Sequence, residues 1–368
     1  MTKSTDKFAD IRPYNDSEVA ASVERLLNDE AFISVIAEHN LPAWLRAIPL
    51  VGNFLVKSKL RKKYGQLTTV DEVQAAVARY LDILVERTTS KVTFSGLEHL
   101  DKSKSYLFIS NHRDIALDPA FVNYGLFHNQ MKTVRIAIGD NLLQVPYMTE
   151  LMRLNKSFIV KRSVKSPKEM LRALSTLSHY IFDSVDSGNS VWIAQKEGRA
   201  KDGNDVTDPA LIKMIQLHGR KLKMEFADYV NSLNIVPVAI SYEFEPCEKA
   251  KAKEQYHKAK FGEYTKAEGE DIESIVEGFA TNKGHVHIAF GEPITDGCDT
   301  PEQLAETIDH AIHTNYYLHP NNYLAAGKTA DKISADEEQS YQNRFNGVAP
   351  ELHEFIKQIY AQPVLNQK

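Results

Sequence analysis

Between residues 91 and 290 the sequence alternates between short apolar runs and longer stretches with helical periodicity. This alternation is the feature that most constrains the fold. Short apolar runs bounded by polar residues are typical of buried strands, and strands that alternate with helices form a sheet with helices on its faces. We therefore predict an α/β fold with a mixed, largely parallel central sheet flanked by helices. The predicted strands are residues 92–94, 106–109, 134–138, 158–160, 191–194, 235–240 and 285–290.

The stretches between these strands carry apolar residues at helical spacing, as in residues 119–126, 166–185 and 208–231. Residues 249–260 consist mainly of Lys, Glu and other polar residues, and we predict a solvated surface helix there.

Helical patterns also flank the alternating region. Residues 16–37 and 69–88 precede it, and residues 300–314 and 335–361 follow it. We therefore predict three domains. They are a helical N-terminal region at residues 1–90, an α/β domain at 91–295 and a C-terminal helical extension at 296–368.

Charge and cysteine usage restrict the function classes. The net charge of -5 gives no support to a nucleic-acid partner. The cysteines are Cys247 and Cys298, which form no disulfide framework and suit a reducing compartment. The polar N-terminus lacks the apolar core of a signal peptide, and no apolar run reaches the length of a membrane span. We expect an intracellular protein that is either soluble or bound to a membrane face.

Residues 41–64 combine an apolar part with a basic end. The apolar part contains Trp44 and Phe54, and Pro49 and Gly52 interrupt it, which predicts two short helices with a kink. Five cations follow between residues 57 and 63. One interpretation is a membrane anchor, with the apolar face in lipid and the basic end on anionic headgroups. The other is a core helix with a solvated end.

The strand at 106–109 leads into a possible acid–base pair. His112 follows the strand end, with Asp114 and Asp118 close behind it in the sequence. In α/β proteins the residues just past strand ends commonly carry the chemistry. A histidine can take a proton from a hydroxyl, and a carboxylate can hold its ring in the correct tautomer.

Two further strands run into cationic segments, which suit a ligand that bears phosphate. Between these cations, Glu197 could orient them or bind a hydroxyl, and Gly198 lets its backbone approach a developing oxyanion. No Ser or Cys stands in a nucleophile elbow, which favours direct transfer. The histidines, including His285 and His287, form no convincing metal-ligand set, so no metal is expected. The cations are Lys161, Arg162, Lys196, Arg199 and Lys201.

Four stretches resemble, in order and rough spacing, the four sequence blocks of the glycerolipid acyltransferase superfamily. This superfamily includes glycerol-3-phosphate and lysophosphatidic acid acyltransferases. The resemblance covers roughly residues 92–295. The stretches are NHRDIALDP, SFIVKRS, KEGRAKDG and IVPVAI.

The resemblance implies that His112 is the general base and Asp118 its partner. Five residues separate them here, one more than in the family pattern, so Asp114 stays open as the alternative carboxylate. We favour Asp118, because Pro119 follows it as in the family and a bulge at the helix start can absorb the extra residue.

The other blocks imply ligand contacts. Arg162 takes the position that binds the substrate phosphate, and Pro237 lies in the strand beside the acyl chain. The third block departs from its usual form, because Lys196 replaces a proline and Arg199 directly follows Gly198. That form is similar to some glycerol-3-phosphate enzymes, and the acceptor stays open.

The resemblance thus implies an O-acyltransferase of phospholipid biosynthesis. It would move a fatty acyl group from acyl-CoA or acyl carrier protein, without a further cofactor, to a hydroxyl of a glycerol-phosphate or lysophospholipid acceptor. The resemblance also implies a cytoplasmic enzyme that binds peripherally to the inner face of the cell membrane through residues 41–64. The alternatives are acylation of another lysolipid or an amino-acid lipid, a non-catalytic lipid-binding member, and a thioester hydrolase.

Overall fold

The computed structural model describes residues 6–46, 48–295, 297–328 and 333–367. The strands in chain order are β1 (Lys91–Ser95), β2 (Leu107–Ser110), β3 (Arg135–Gly139), β4 (Ser157–Val160), β5 (Val191–Ala194), β6 (Ile235–Tyr242) and β7 (His285–Phe290). The helices are α1 (Asp16–Asn28), α2 (Glu30–Asn40), α3 (Ala43–Arg46), α4 (Pro49–Tyr64), α5 (Val70–Thr88), α6 (Leu117–His128), α7 (Pro146–Leu154), α8 (Pro167–Asp186), α9 (Pro209–Leu222), α10 (Phe226–Ser232), α11 (Glu248–Phe261), α12 (Glu270–Ala280), α13 (Pro301–Asn315), α14 (Pro320–Ala325), α15 (Ala335–Asn343) and α16 (His353–Asn366).

The chain forms two compact units. The first, called the N-terminal unit, consists of Met1–Tyr80 and Arg135–Thr176. The second, called the sheet unit, consists of Leu81–Val134 and Leu177–Lys368. This division differs from the expected boundaries at residues 90 and 295, because the segment with β3, α7 and β4 packs with the N-terminal helices.

The sheet unit contains five strands in the order β1-β7-β6-β2-β5. All pairs are parallel except β6 and β7, which are antiparallel. The prediction of a mixed, largely parallel sheet is therefore confirmed. Every residue of β2 and β6 is buried, as expected of strands covered on both faces. Ile109 of β2 lies opposite Ile193 of β5 and Pro237 of β6, so the carboxyl ends of these three strands meet at one edge.

In the N-terminal unit, β3 and β4 form a parallel pair in which Ala137 lies opposite Phe158. Leu154 at the end of α7 is buried in a cluster with Val19 and Val23 of α1 and Val73 of α5. This apolar contact explains why residues from the middle of the chain join the N-terminal helices.

All seven predicted strands are present, with ends shifted by at most a few residues. The predicted helices at 16–37 and 208–231 are each divided in two. The first is broken at Asp29, whose side chain accepts a hydrogen bond from the Phe32 N–H and so starts α2. The second is broken at Lys223, which has φ +56°. Helices α7, α12 and α14 were not predicted, and residues 335–361 contain α15 and most of α16 with a break between them.

Residues 41–64 form the two helices α3 and α4, as predicted, although residue 47 between them lies outside the described part of the chain. Both helices expose large apolar side chains. Leu50 is 88% exposed, Phe54 70% and Trp44 68%. The interpretation of this segment as a buried core helix is therefore wrong for these three side chains.

A buried group of four charged side chains, called the charge cluster, lies beyond the carboxyl edge of β2. The fully buried Arg113 donates from Nη2 to Asp205 Oδ2 at 2.6 Å and from Nη1 to Glu245 Oε2 at 3.3 Å. Lys251 of α11 donates from Nζ to Glu245 Oε1 and to the backbone oxygen of Arg113, both at 2.6 Å. Two cations and two carboxylates thus neutralise one another in the interior.

The charge cluster also corrects the prediction of a solvated helix at 249–260. Lys251 and Glu254 of α11 are buried, and so is Glu248 at its start. A sequence rich in Lys and Glu predicts an exposed helix because burying an unpaired charge is costly. Here the charges have partners that come from other parts of the chain, which the local sequence does not reveal.

We predict that Lys251→Met lowers the free energy of unfolding by about 3–5 kcal/mol, because it leaves the Glu245 carboxylate short of a buried partner. The matched control is Lys253→Met on the same helix, whose side chain is exposed. We expect the control to stay within about 0.5 kcal/mol of the parent protein. Guanidinium unfolding followed by circular dichroism measures both variants. Equal stability of the two would contradict the structural role of the charge cluster.

Candidate active site

His112 is held at the end of β2 by contacts on both sides. The preceding Asn111 side chain bonds the backbone of Ile240, accepting from N–H at 2.8 Å and donating to the oxygen at 3.0 Å. The backbone oxygen of His112 accepts from the Ala200 N–H at 2.8 Å. Its ring stands edge-on to Trp192, with centroids 5.9 Å apart. The ring position is therefore defined by β6, by β5 and by the loop after β5.

The His112 ring contacts Asp118 at the start of α6. Its Nδ1 lies 2.8 Å from Asp118 Oδ2, and the Asp118 side chain is fully buried. The same oxygen accepts the backbone N–H groups of Arg113 at 2.6 Å and of Asp114 at 2.9 Å. A carboxylate can only accept, so the proton of the neutral imidazole lies on Nδ1, and Nε2 is the nitrogen that can take a proton.

Asp114, the alternative carboxylate, has a different position. Its Oδ1 accepts the N–H groups of Ala116 and Leu117, both at 2.9 Å, in the turn that leads into α6. This turn contains the extra residue between His112 and Asp118. Burial, reinforced by the charge of Asp118, raises the pKa of Asp114 above its ordinary value.

The loop after β5 carries the cations at 196–201, and each has a partner. Lys196 Nζ donates to the Asn204 backbone oxygen at 3.1 Å, and Arg199 Nη2 donates to the Ser274 hydroxyl at 3.3 Å. Lys201 forms an ion pair with Glu254 of α11. Burial lowers the pKa of Lys201, and the Glu254 carboxylate opposes that shift. Arg199 therefore has a neutral partner, whereas the charge of Lys201 is already matched.

Glu197 and Gly198 lie at the exposed tip of the same loop. Gly198 has φ +78°, and no described atom lies within 4 Å of the position that a Cβ would take. A ligand can therefore approach this backbone closely. Pro237 is buried in β6, where its backbone oxygen accepts the Gly291 N–H at 2.8 Å.

Lys161 and Arg162 belong to the N-terminal unit, where they follow β4 and are exposed. Lys161 Nζ lies 3.7 Å from a carboxylate oxygen of Asp10. The Arg162 guanidinium carbon is 3.0 Å from the position of a Cβ on Gly139, so the side chain lies against the end of β3.

Several residues around His112 were not predicted from the sequence. Tyr242 donates its hydroxyl to Asp118 Oδ1 at 2.7 Å, and Asp205 binds both Asn111 and Arg113. Tyr242 ends β6 two residues beyond the predicted end of that strand. Arg113, three residues after the end of β2, was an available signal for the charge cluster.

The described residues contain no group of three or more His, Cys, Asp or Glu placed to hold a metal ion. The expectation that catalysis needs no metal stays a prediction. His285 Nε2 and His287 Nδ1 each hydrogen-bond to the Thr93 hydroxyl, at 2.6 and 2.7 Å.

Comparison with known proteins identifies part of this chain. No curated protein matches the sequence. Among solved structures, the chain resembles the 1-acyl-sn-glycerophosphate (LPA) acyltransferase PlsC from Thermotoga maritima, with 15% sequence identity and a TM-score of 0.40. That match covers 77% of this chain and 92% of the other. A family model described as Acyltransferase matches residues 91–241, which include His112, Asp118 and the loop after β5. Residues 91–241 of the chain therefore match the acyltransferase family model, in line with the resemblance of its four motifs to the glycerolipid acyltransferase superfamily.

Proposed function

We propose that this protein is an O-acyltransferase that moves a fatty acyl group from acyl-CoA or acyl carrier protein to a hydroxyl of a glycerol-phosphate-type acceptor. The observation that carries the proposal is the contact between His112 Nδ1 and Asp118 Oδ2 at 2.8 Å, inside the matched acyltransferase region. This contact leaves Nε2 of His112 as the proton acceptor. The His112 side chain is 14% exposed.

The reaction follows from this geometry. His112 Nε2 removes the proton of the acceptor hydroxyl while the oxygen attacks the thioester carbonyl, and Asp118 stabilises the imidazolium that forms. The tetrahedral intermediate collapses, the carbon–sulfur bond breaks, and the imidazolium returns its proton to the departing thiolate. The open backbone at Gly198 supports a role in binding the oxyanion. No covalent acyl-enzyme is required.

We assign the acceptor phosphate first to Arg199 and Arg162. Arg199 fits this role because its observed partner is the neutral Ser274 hydroxyl. Arg162 is also assigned to the acceptor phosphate, because its motif position corresponds to the phosphate-binding arginine of the superfamily that the motifs resemble. Lys161 and Lys196 remain auxiliary candidates. Lys201 fits less well, because Glu254 neutralises it. Glu197 would orient the cations of its own loop, and Pro237 would lie beside the acyl chain.

Three other functions remain as outcomes of the assay. Another lysolipid or an amino-acid lipid as acceptor would give transfer without glycerol-phosphate compounds. A thioester hydrolase would release thiol without any acceptor. A non-catalytic lipid-binding protein would release none. The buried partner of His112 argues against the last, because a binding protein has no need of an oriented base.

The exposed apolar side chains of α3 and α4 support contact with an anionic lipid surface. Lys57, Lys59, Lys62 and Lys63 follow them within α4 and complement anionic headgroups in charge. None of the described helices is both long and apolar enough to cross a membrane. We therefore propose peripheral binding of the N-terminal unit to the inner face of the cell membrane.

Catalysis by His112 is tested by thiol release from acyl-CoA in the presence of glycerol 3-phosphate or lysophosphatidic acid. We expect His112→Ala and Asp118→Asn to lower kcat by about 10²–10⁴-fold, because the first removes the base and the second favours the wrong tautomer. Asp114→Asn is the matched control and should change kcat only a few-fold, since its amide oxygen can still accept the N–H groups of Ala116 and Leu117. Equal losses in the two asparagine variants would refute the assignment of Asp118.

The assignment of Arg162 is tested through the Michaelis constants of the two substrates. We expect Arg162→Ala to raise the KM of a phosphate-bearing acceptor by about 10–100-fold, since hydrogen bonds to charged groups contribute about 1.5–3 kcal/mol. The KM of the acyl donor should not change. Arg172→Ala, an exposed arginine in the same unit, serves as the control. An unchanged acceptor KM in the Arg162 variant would exclude this role.

Membrane binding is tested by flotation with vesicles that contain phosphatidylglycerol. We expect the double variant Leu50→Ser, Phe54→Ser to lower the bound fraction at least about tenfold, because each side chain loses up to about 1.5–3 kcal/mol of burial in lipid. Leu171→Ser is the control, since Leu171 is also exposed, at 59%, in the same unit. Flotation of the double variant at the parent level would show that α4 does not bind lipid.

A further inference from the structure

The two oxygens of the Asp118 carboxylate have different partners. Oδ2 accepts the His112 ring and two backbone N–H groups, at 2.8, 2.6 and 2.9 Å. Oδ1 accepts the hydroxyl of Tyr242 at 2.7 Å, its one donor among the described residues. The side chain of Asp118 is completely buried, so water cannot replace a missing donor without entering the interior.

Tyr242 is suited to act only as a donor. It is the last residue of β6, it is 1% exposed, and its ring packs edge-on against Phe121 with centroids 6.0 Å apart. Burial, together with the charge of Asp118, raises the pKa of its phenol well above the ordinary value. The phenol is therefore protonated at neutral pH and donates to Asp118.

The hydroxyl of Tyr242 affects Asp118 in two ways. It fixes the rotation of the carboxylate, so that Oδ2 and not Oδ1 faces His112. It also draws negative charge toward Oδ1 and away from the oxygen that binds the His112 Nδ1–H, which weakens the attraction between Asp118 and a protonated imidazole.

We propose that Tyr242 is a positioning residue of the acyl-transfer site, which orients Asp118 and sets how strongly that carboxylate holds protonated His112. The catalytic meaning of this inference rests on the proposed function. The chemical contact does not, because it can be measured without substrate. The residues form a chain in which Tyr242 donates to Asp118 and Asp118 accepts from His112.

Other charged groups lie around this chain and would persist in a variant. Asp114 on the His112 loop and Glu245 beyond β6 act on Tyr242 by their negative charge, and Lys251 of α11 acts on Asp114 by its positive charge. Arg113 bears the fully buried guanidinium next to His112. Tyr242→Phe removes one hydroxyl and keeps the ring that packs on Phe121, so a change isolates the hydrogen bond to Asp118.

The test is a pH titration of Tyr242→Phe. Without the donor, Asp118 holds more charge against Nδ1 and stabilises protonated His112. We therefore expect the titration midpoint of the His112 ring, followed by NMR on histidine-labelled protein, to rise by about half to one pH unit. The acidic limb of kcat/KM should move in the same direction, because the base is then protonated to higher pH. At pH values above the acidic limb, where the rate no longer depends on pH, kcat should fall about tenfold. The KM values of the acyl donor and of the acceptor should not change.

Tyr106→Phe is the matched control. Tyr106 is also buried, but its hydroxyl bonds the backbone of Asp101 before the opposite end of β2. We expect neither the His112 midpoint nor kcat to change in this variant. An unmoved His112 midpoint in Tyr242→Phe would overturn the inference, even if kcat fell. If the parent protein transfers no acyl group, the proposed function fails, and the NMR titration still decides the role of Tyr242.

Discussion

The buried guanidinium of Arg113 organises this structure. Arg113 directly follows His112, and its side chain binds Asp205 from the loop after β5 and Glu245 beyond the end of β6. Lys251 of α11 completes the charge cluster by donating to Glu245 and to the Arg113 backbone. Burying an ion is costly unless its partners and geometry are complete. The cluster therefore favours one arrangement of these segments over others that would leave a charge unpaired.

The contact between His112 and Asp118 depends on that arrangement. Asp118 Oδ2 accepts the backbone N–H groups of Arg113 and Asp114, which lie in the turn between His112 and α6. The Asp114 side chain accepts the N–H of Leu117, the first residue of that helix. The one-residue difference from the family spacing is thus accommodated in the turn, while the His112–Asp118 contact keeps hydrogen-bonding length. Helices α11 and α12 lie outside the matched residues 91–241. They nevertheless supply the partners of Arg199 and Lys201, and α11 also contributes Lys251 to the charge cluster.

The sequence predicted the strands well because a buried strand is a local apolar run that is visible without knowledge of its neighbours. Two of the helix errors have local causes, namely the cap at Asp29 and the positive φ of Lys223. The solvated helix at 249–260 is an error of another kind. Its residues are charged, as an exposed helix would be, and partners distant in sequence, such as Lys201 for Glu254 and Arg344 for Glu248, help to make their burial favourable. Tyr242 was missed for a similar reason, because nothing in its own segment relates it to residue 118.

By itself, the sequence determined the α/β class, the strands, and the motif residues from which an acyltransferase site was inferred, since these depend on periodicity and on residue type at short spacing. Tertiary structure decided which carboxylate contacts His112, which loop cation is already neutralised, and which tyrosine supports the pair. Those outcomes depend on contacts between residues that are distant in sequence, such as Tyr242 and Asp118. Hydrogen bonds of this kind require a distance and a direction, and only the folded chain defines both.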